Sequence, residues 1–178
     1  MRIISGYLKS RRFSPSAKLP VRPTTDFAKE SLFNILSNRL DFSVINALDL
    51  FAGTGNISFE LISRGCIKVT SVDNNYKCID FIRKTAENFE IDNIQLIKTN
   101  VFNFLKFSNQ TYDLIFADPP YDLDNMNEIP DLVFNKKMLS QDGIFIIEHS
   151  KNYNFESHPN FIEHRNYGKV NFSMFKMK

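Results

Sequence analysis

Between residues 44 and 148 the chain alternates two kinds of apolar pattern. Short apolar-rich segments at 44–51, 67–72, 94–98, 112–117 and 144–148 predict strands, and the fourth, an apolar run into Ala117, reads as a buried one. Between them, over 56–64, 76–89, 100–107 and 129–139, apolar positions recur at three- and four-residue spacing and predict helices. The second of these is the clearest, with Ile79, Ile82, Ala86 and Phe89 along one stripe. Turn residues punctuate the series: 52–55 forms a tight turn, Gly65 can end a helix in a left-handed conformation, and Asp142-Gly143 reads as a turn. Strands alternating with helices imply an α/β architecture, a parallel sheet with helices on both faces.

Two flanking regions fall outside that alternation. Ahead of it, Thr24 or Thr25 can cap a helix running to about residue 40, with Asp26 in its first turn and Ala28, Leu32, Ile35 and Leu36 on one face. Behind it, runs at 161–167 and 170–177 flank Gly168 and predict a β-hairpin, whose last strand is antiparallel to its neighbours. Residues 2–5 could form a short strand, and 6–20 a hairpin or mobile loop broken by Pro15 and Pro20.

A chain of 178 residues, 43% apolar and 24% charged, suits one globular domain with a substantial core. No run approaches ~18 apolar residues, so no transmembrane helix is expected. The N-terminus lacks the long apolar core of a signal peptide. Cys66 and Cys78 have no metal-ligand spacing and suit buried thiols in a reducing cytoplasm, while His149, His158 and His164 are scattered, so no metal is expected. Charge changes the picture. Residues 1–22 hold six basic side chains (Arg2, Lys9, Arg11, Arg12, Lys18, Arg22) and no acid, and taking these six from 22 leaves 16 basic against 20 acidic residues, a net of −4. A basic arm on a mildly acidic body suits docking of a polyanion; a solvated tail is the plainer alternative.

Candidate chemistry gathers at predicted strand ends. Asp118-Pro119-Pro120-Tyr121 follows the fourth strand. Neither proline donates a backbone hydrogen bond and both fix φ, so the Asp118 carboxylate and Pro119 carbonyl form a stiff pair of acceptors beside the Tyr121 ring. That set suits holding a planar amino group; a solvent-facing turn is the simpler reading. After the first strand come Asp49, Phe51, Ala52, Gly53 and Gly55, where glycines permit a sharp turn and close approach to a ligand. Ser58 occupies the place of the third glycine of a dinucleotide fingerprint, and the Asp49 carboxylate suits an ammonium group better than a pyrophosphate. Asp73, twenty residues after Gly53, ends the second strand with Asn74 beside it, at the spacing for ribose hydroxyls. Asn100 ends the third strand, followed by Val101; the pair could read an adenine edge and cover its face, or Asn100 could simply cap a helix. All four groups share the carboxyl edge at which open α/β sheets bind ligands.

These residues resemble a class I S-adenosylmethionine-dependent methyltransferase, and more narrowly the RsmD family. The resemblance runs through Met1 to Gly6, Arg22-Pro23-Thr24, Glu30 to Leu36, Asp49 to Gly55, Glu60 with Arg64-Gly65, Phe116 to Tyr121 and Tyr167-Gly168. Lys29 stands where that family usually has arginine, Asn56 where a smaller or apolar residue is usual, and Asn100 where related enzymes have aspartate. The resemblance implies a Rossmann-like fold with a mostly parallel seven-stranded sheet and a C-terminal β-hairpin. It implies S-adenosylmethionine as donor and N2 of a guanine in 16S rRNA, position 966 in standard numbering, as acceptor during small-subunit assembly. Asp118, Pro119, Pro120 and Tyr121 would be catalytic. Asp49, Phe51, Ala52, Gly53, Gly55, Asp73, Asn74, Asn100 and Val101 would hold the cofactor. Residues 1–24, with Lys9, Arg11, Arg12, Lys18 and Arg22, would dock RNA, and 25–178 would form the methyltransferase domain. A cytoplasmic monomer, without metal or membrane contact, is expected. The alternatives are an amino-methyltransferase acting on DNA adenine N6 or protein glutamine, a nucleotide-dependent oxidoreductase, and a non-catalytic ribosome-assembly factor.

Overall fold

The computed structural model describes residues 1–15, 19 and 26–178. Among them runs one seven-stranded sheet. Helix α1 (Asp26–Ser37) and one 3-10 turn (Phe42–Val44) lead into β1 (Asn46–Leu50), α2 (Asn56–Ser63), β2 (Lys68–Asp73), α3 (Tyr76–Asn88), β3 (Ile94–Lys98) and α4 (Val101–Phe107). The chain continues through β4 (Tyr112–Ala117), α5 (Glu128–Asn135), β5 (Leu139–His149), β6 (Phe161–Tyr167) and β7 (Val170–Phe175). Spatial order is β3-β2-β1-β4-β5-β7-β6, with β1 to β5 parallel and β7 antiparallel to both neighbours.

Because successive residues point to opposite faces, the sheet builds two cores. Ala47, Val69, Leu114 and Ile146 face α1, α2 and α3, while Leu48, Val72, Ile115 and Phe145 face α4 and α5. Parallel strands buried on both faces read as continuous apolar runs, and that is why their positions are predictable. Several expected boundaries differ. Helix α1 ends at Ser37, and its buried set includes Lys29 and Phe33 while Ile35 is half-buried. The Thr24–Thr25 cap lies outside the described residues. Residues 42–44 form the 3-10 turn because the Asp41 carboxylate accepts from the Ser43 N–H and caps it. The expected turn at Asp142-Gly143 lies within β5, where the register with β4 shifts between Tyr112 and Leu114. A Cβ on Gly143 would come within 3.0 Å of the Asp113 carbonyl oxygen, so this is a bulge pressed against the neighbouring strand.

The N-terminal segment is bound to the body. Arg2 and Arg12 bridge antiparallel, and Ile3, Leu8 and Phe13 join the core on the α1–α3 face. Gly6, at φ +84°, rests so close to Ser63 that a Cβ there would lie 1.6 Å from the Ser63 carbonyl oxygen. The two Glu60 carboxylate oxygens accept from the Ile4 and Ser5 N–H groups at 2.8 and 3.1 Å. Among the described residues no helix is long and apolar enough to cross a membrane.

Candidate active site

The carboxyl ends of β1, β2 and β4, the start of α4 and the end of β5 enclose a cavity of about 500 Å³. Twelve of the thirteen residues expected to act on donor or acceptor line it: Asp49, Phe51, Ala52, Gly53, Asp73, Asn74, Asn100, Val101 and the four residues 118–121. Gly55 does not line it. It takes φ +72° at the start of α2, and a Cβ there would meet Ile82 and Phe59 at 3.0 Å. Its lack of a side chain therefore serves the turn and the packing of α2 on α3.

The first wall is the loop after β1. Phe51 takes φ +61°, a rare conformation for a bulky side chain, followed by Gly53 at +53°. The turn is held from the next strand: the Gly53 N–H donates to Asp73 Oδ2 at 2.8 Å and the Ala52 N–H to the Val72 carbonyl at 3.0 Å. Asp73 Oδ1 accepts from the Asn75 N–H at 2.7 Å. Asp73 thus rigidifies the glycine loop as well as lining the cavity. Asp49 is buried, and its Oδ2 accepts from the Ser58 N–H at 3.1 Å and the Ser58 hydroxyl at 2.5 Å. Burial pushes its pKa up to about 7; the Ser58 bonds act in the opposite direction, and nearby Asp73 adds to the rise. Ser58, standing where a dinucleotide loop has its third glycine, is therefore the partner of Asp49.

Asn100 Oδ1 accepts from the N–H groups of Phe102 and Asn103 at 2.9 and 3.2 Å, so the residue caps α4. It also lines the cavity, beside buried Val101. The cap commits the amide oxygen and leaves the NH₂ end as the polar group for a ligand edge.

The acceptor cluster lines the same cavity from the end of β4. The Asp118 N–H donates to the Leu50 carbonyl at 3.3 Å, tying the cluster to β1. Pro119 is buried, Pro120 is exposed, and the Tyr121 hydroxyl donates to Glu148 Oε1 at 3.3 Å. Glu148, at the end of β5, is 3% exposed and lines the cavity. Sequence reasoning passed over it, although it repeats the pattern of Asp49, Asp73 and Asp118: an acid ending an apolar strand.

The basic residues are apart from the cavity lining. Lys9, Arg11 and Arg12 are exposed on the N-terminal segment, with the Arg11 guanidinium 5.2 Å from the centre of the Phe89 ring. Lys18 and Arg22 lie outside the described residues.

The sheet order and this strand-edge cavity define an α/β methyltransferase fold. The solved structure of the putative methyltransferase yhhF from Escherichia coli superposes with a TM-score of 0.88 at 24% identity, covering 100% of this chain and 98% of its own. A family model described as Conserved hypothetical protein 95 matches residues 1–176, and the chain belongs to that family. Two relatives from Buchnera aphidicola carry the name Ribosomal RNA small subunit methyltransferase D. The one from subspecies Acyrthosiphon pisum is 36% identical over 150 residues, 84% of this chain and 78% of its own. The one from subspecies Baizongia pistaciae is 31% identical over 154 residues, 86% of this chain and 78% of its own. The resemblance to the RsmD family is borne out.

Proposed function

We propose that this protein transfers a methyl group from S-adenosylmethionine to the exocyclic N2 of a guanine in small-subunit ribosomal RNA. The observation that carries the reading is the shared cavity, which Asp49 and Asp73 line together with Asp118 to Tyr121. The names of the two Buchnera relatives support the RNA class.

The residues present fit the cofactor. Asp49, buried and held by the Ser58 N–H and hydroxyl, would gain a cationic partner in the methionine ammonium. Phe51, Ala52 and Gly53 would flank the methionine portion, Asp73 and Asn74 the ribose, and Asn100 with Val101 the adenine. When bound, S-adenosylmethionine supplies an electrophilic methyl on a sulfonium; the S–C bond breaks as the N–C bond forms, and the sulfur departs as a neutral thioether.

The guanine N2 lone pair is delocalised into the ring and is a poor nucleophile. The Asp118 carboxylate and the Pro119 carbonyl each accept one N–H, which biases the nitrogen toward pyramidal geometry and aims its lone pair into the cavity. Tyr121 stacks on the base. Rate enhancement comes from orientation and from acceptors facing the positive charge that grows on nitrogen. Methylation makes that nitrogen acidic, so an ordinary carboxylate suffices to receive its proton.

A guanine enters such a cavity only from an unpaired loop or after leaving its stack. Residues 1–24 form the docking arm, with Lys9, Arg11, Arg12, Lys18 and Arg22 on RNA phosphates, and 25–178 form the catalytic domain. The enzyme works as a monomer, without a metal, in the cytoplasm, on 16S RNA within an assembling subunit. Nucleoside mass spectrometry of small-subunit RNA from the host, with and without the gene, tests this. Loss of one N2-methylguanosine on deletion is expected; an unchanged content contradicts the reading.

A further inference from the structure

Glu148 is a buried acid that the reaction described above does not use. The Tyr121 hydroxyl donates to it at 3.3 Å, the long end of a hydrogen bond. The register gives its position relative to Asp118. Ala117 pairs with Ile147 in the parallel β4–β5 ladder, so Asp118 and Glu148 occupy the next step. Neighbouring strands run about 4.8 Å apart, and residues in register project to the same face. Both residues line the cavity. The acceptor wall therefore presents the Asp118 carboxylate, the Pro119 carbonyl and a second carboxylate one strand away.

An exocyclic amino group has two N–H donors, which Asp118 and Pro119 satisfy. A third acceptor of full charge matches a base with another donor next to its amino group. Guanine has one, N1–H, beside its 2-amino group. Adenine has a lone pair at N1, beside its 6-amino group, and a carboxylate facing it gains no hydrogen bond and meets repulsion. Flipped bases are read in this way along their Watson–Crick edge.

We propose that Glu148 accepts the N1–H of the target guanine and is the residue that selects guanine over bases with an unprotonated N1. The Tyr121 hydroxyl holds one of its oxygens, so the residue that stacks on the base also orients the acceptor that reads it. The assignment rests on guanine N2 being the methylated atom.

2-Aminopurine separates this role from a structural one, because it keeps the 2-amino group to be methylated but has a lone pair at N1. Small subunits reconstituted with 16S RNA carrying guanine or 2-aminopurine at the target position are offered to the wild-type protein and to Glu148→Gln. Binding of S-adenosylhomocysteine checks that the variant is folded. Wild type should prefer guanine by at least about tenfold in kcat/KM, as a lost charge-assisted bond requires. Glu148→Gln should lose activity on guanine and narrow the preference to within about threefold, because its amide can donate to the bare N1. Comparing the ratio between the two proteins cancels the different intrinsic reactivities of the two amino groups. A ratio that Glu148→Gln leaves unchanged overturns the assignment. Should Glu148→Gln fail to bind S-adenosylhomocysteine, Glu148→Ala takes its place in the same comparison, and a ratio it leaves unchanged likewise overturns the assignment. No transfer to the guanine particle by wild type overturns the reaction itself, a different result from either.

Discussion

Lys29 and Asn56 meet inside the protein: the Lys29 ammonium, with no exposed surface, donates to the Asn56 side-chain oxygen at 2.9 Å. These are two of the three positions that the resemblance marks as departures from the family pattern, and in the structure they are partners. The same ammonium donates to the Arg2 carbonyl at 2.8 Å and lies 3.4 Å from Glu60. Glu60 in turn receives the Ile4 and Ser5 N–H groups and Arg64 Nε, while Asn56 lines the cavity. One buried network therefore connects the N-terminal segment, α1, α2 and the cavity wall.

Burial lowers the Lys29 pKa, and the Glu60 carboxylate opposes that shift. Lys29→Met removes the ammonium and leaves Glu60 buried with Arg64 as its remaining cation. The expected loss is about 3 kcal/mol, the size found when one partner of a buried pair is removed. Urea unfolding measures it; a loss below about 1 kcal/mol would make the network dispensable.

Gly6→Ala should undock the N-terminal segment. The position combines φ +84° with a Cβ site 1.6 Å from the Ser63 carbonyl oxygen, so the backbone must shift. A cost of roughly 1–3 kcal/mol is expected, together with faster proteolysis within residues 1–13. Wild-type cleavage rates would show that the contact with α2 holds nothing in place.

Cofactor affinity should depend on pH through Asp49. Its pKa is raised to about 7 in the folded protein, chiefly by burial. Between its ordinary acidic value and about 7 the folded state holds a proton that the unfolded chain has released. Its contribution to stability therefore falls as pH rises through that window. A ligand ammonium favours the ionised carboxylate, so binding below pH ~7 releases this proton. The affinity for S-adenosylhomocysteine should climb by up to about tenfold from pH 6 to pH 8, and Asp49→Asn should flatten the climb. Calorimetry in buffers of different ionisation enthalpy reads the proton directly; no release at pH 6 contradicts the role of Asp49.

Arg11→Ala with Arg12→Ala should weaken RNA binding and reduce the slope of log K against log salt by roughly one per lost phosphate contact. Both side chains are exposed on the arm, away from the cavity lining, so S-adenosylhomocysteine binding should not change. An unchanged salt slope removes the arm from RNA docking.

Much of this fold was legible because a parallel strand buried on both faces leaves a continuous apolar run, as β4 does over 114–117 and β5 over 144–147. The candidate site was legible because Asp49, Asp73, Asn100 and Asp118 each stand at or just beyond the carboxyl end of a strand. What was hidden depends on contacts distant in sequence. Asp142-Gly143 has the composition of a turn, yet pairing with β4 draws it into a bulged strand. The arm looked like a solvated or mobile segment because it carries six basic residues, no acid and two prolines as breakers, yet Ile3, Leu8 and Phe13 are enough to bury the inner side of its first residues. Gly55 looked like a ligand-facing glycine because loop composition does not say which glycine faces the cavity and which faces Ile82 and Phe59. Glu148 belongs to no motif with fixed spacing, and only the β4–β5 register brings it beside Asp118.

The most direct test of the central claim is methyl transfer by Asp118→Ala. Purified small subunits lacking the modification are incubated with labelled S-adenosylmethionine and either wild type or the variant, and the RNA is digested for N2-methylguanosine. Wild type should label one guanine per particle. Asp118→Ala should bind S-adenosylhomocysteine as wild type does while transfer falls by at least about 10²-fold, the scale on which a group aimed at developing charge acts. Near-wild-type turnover by Asp118→Ala would contradict the proposed clamp on the amino group.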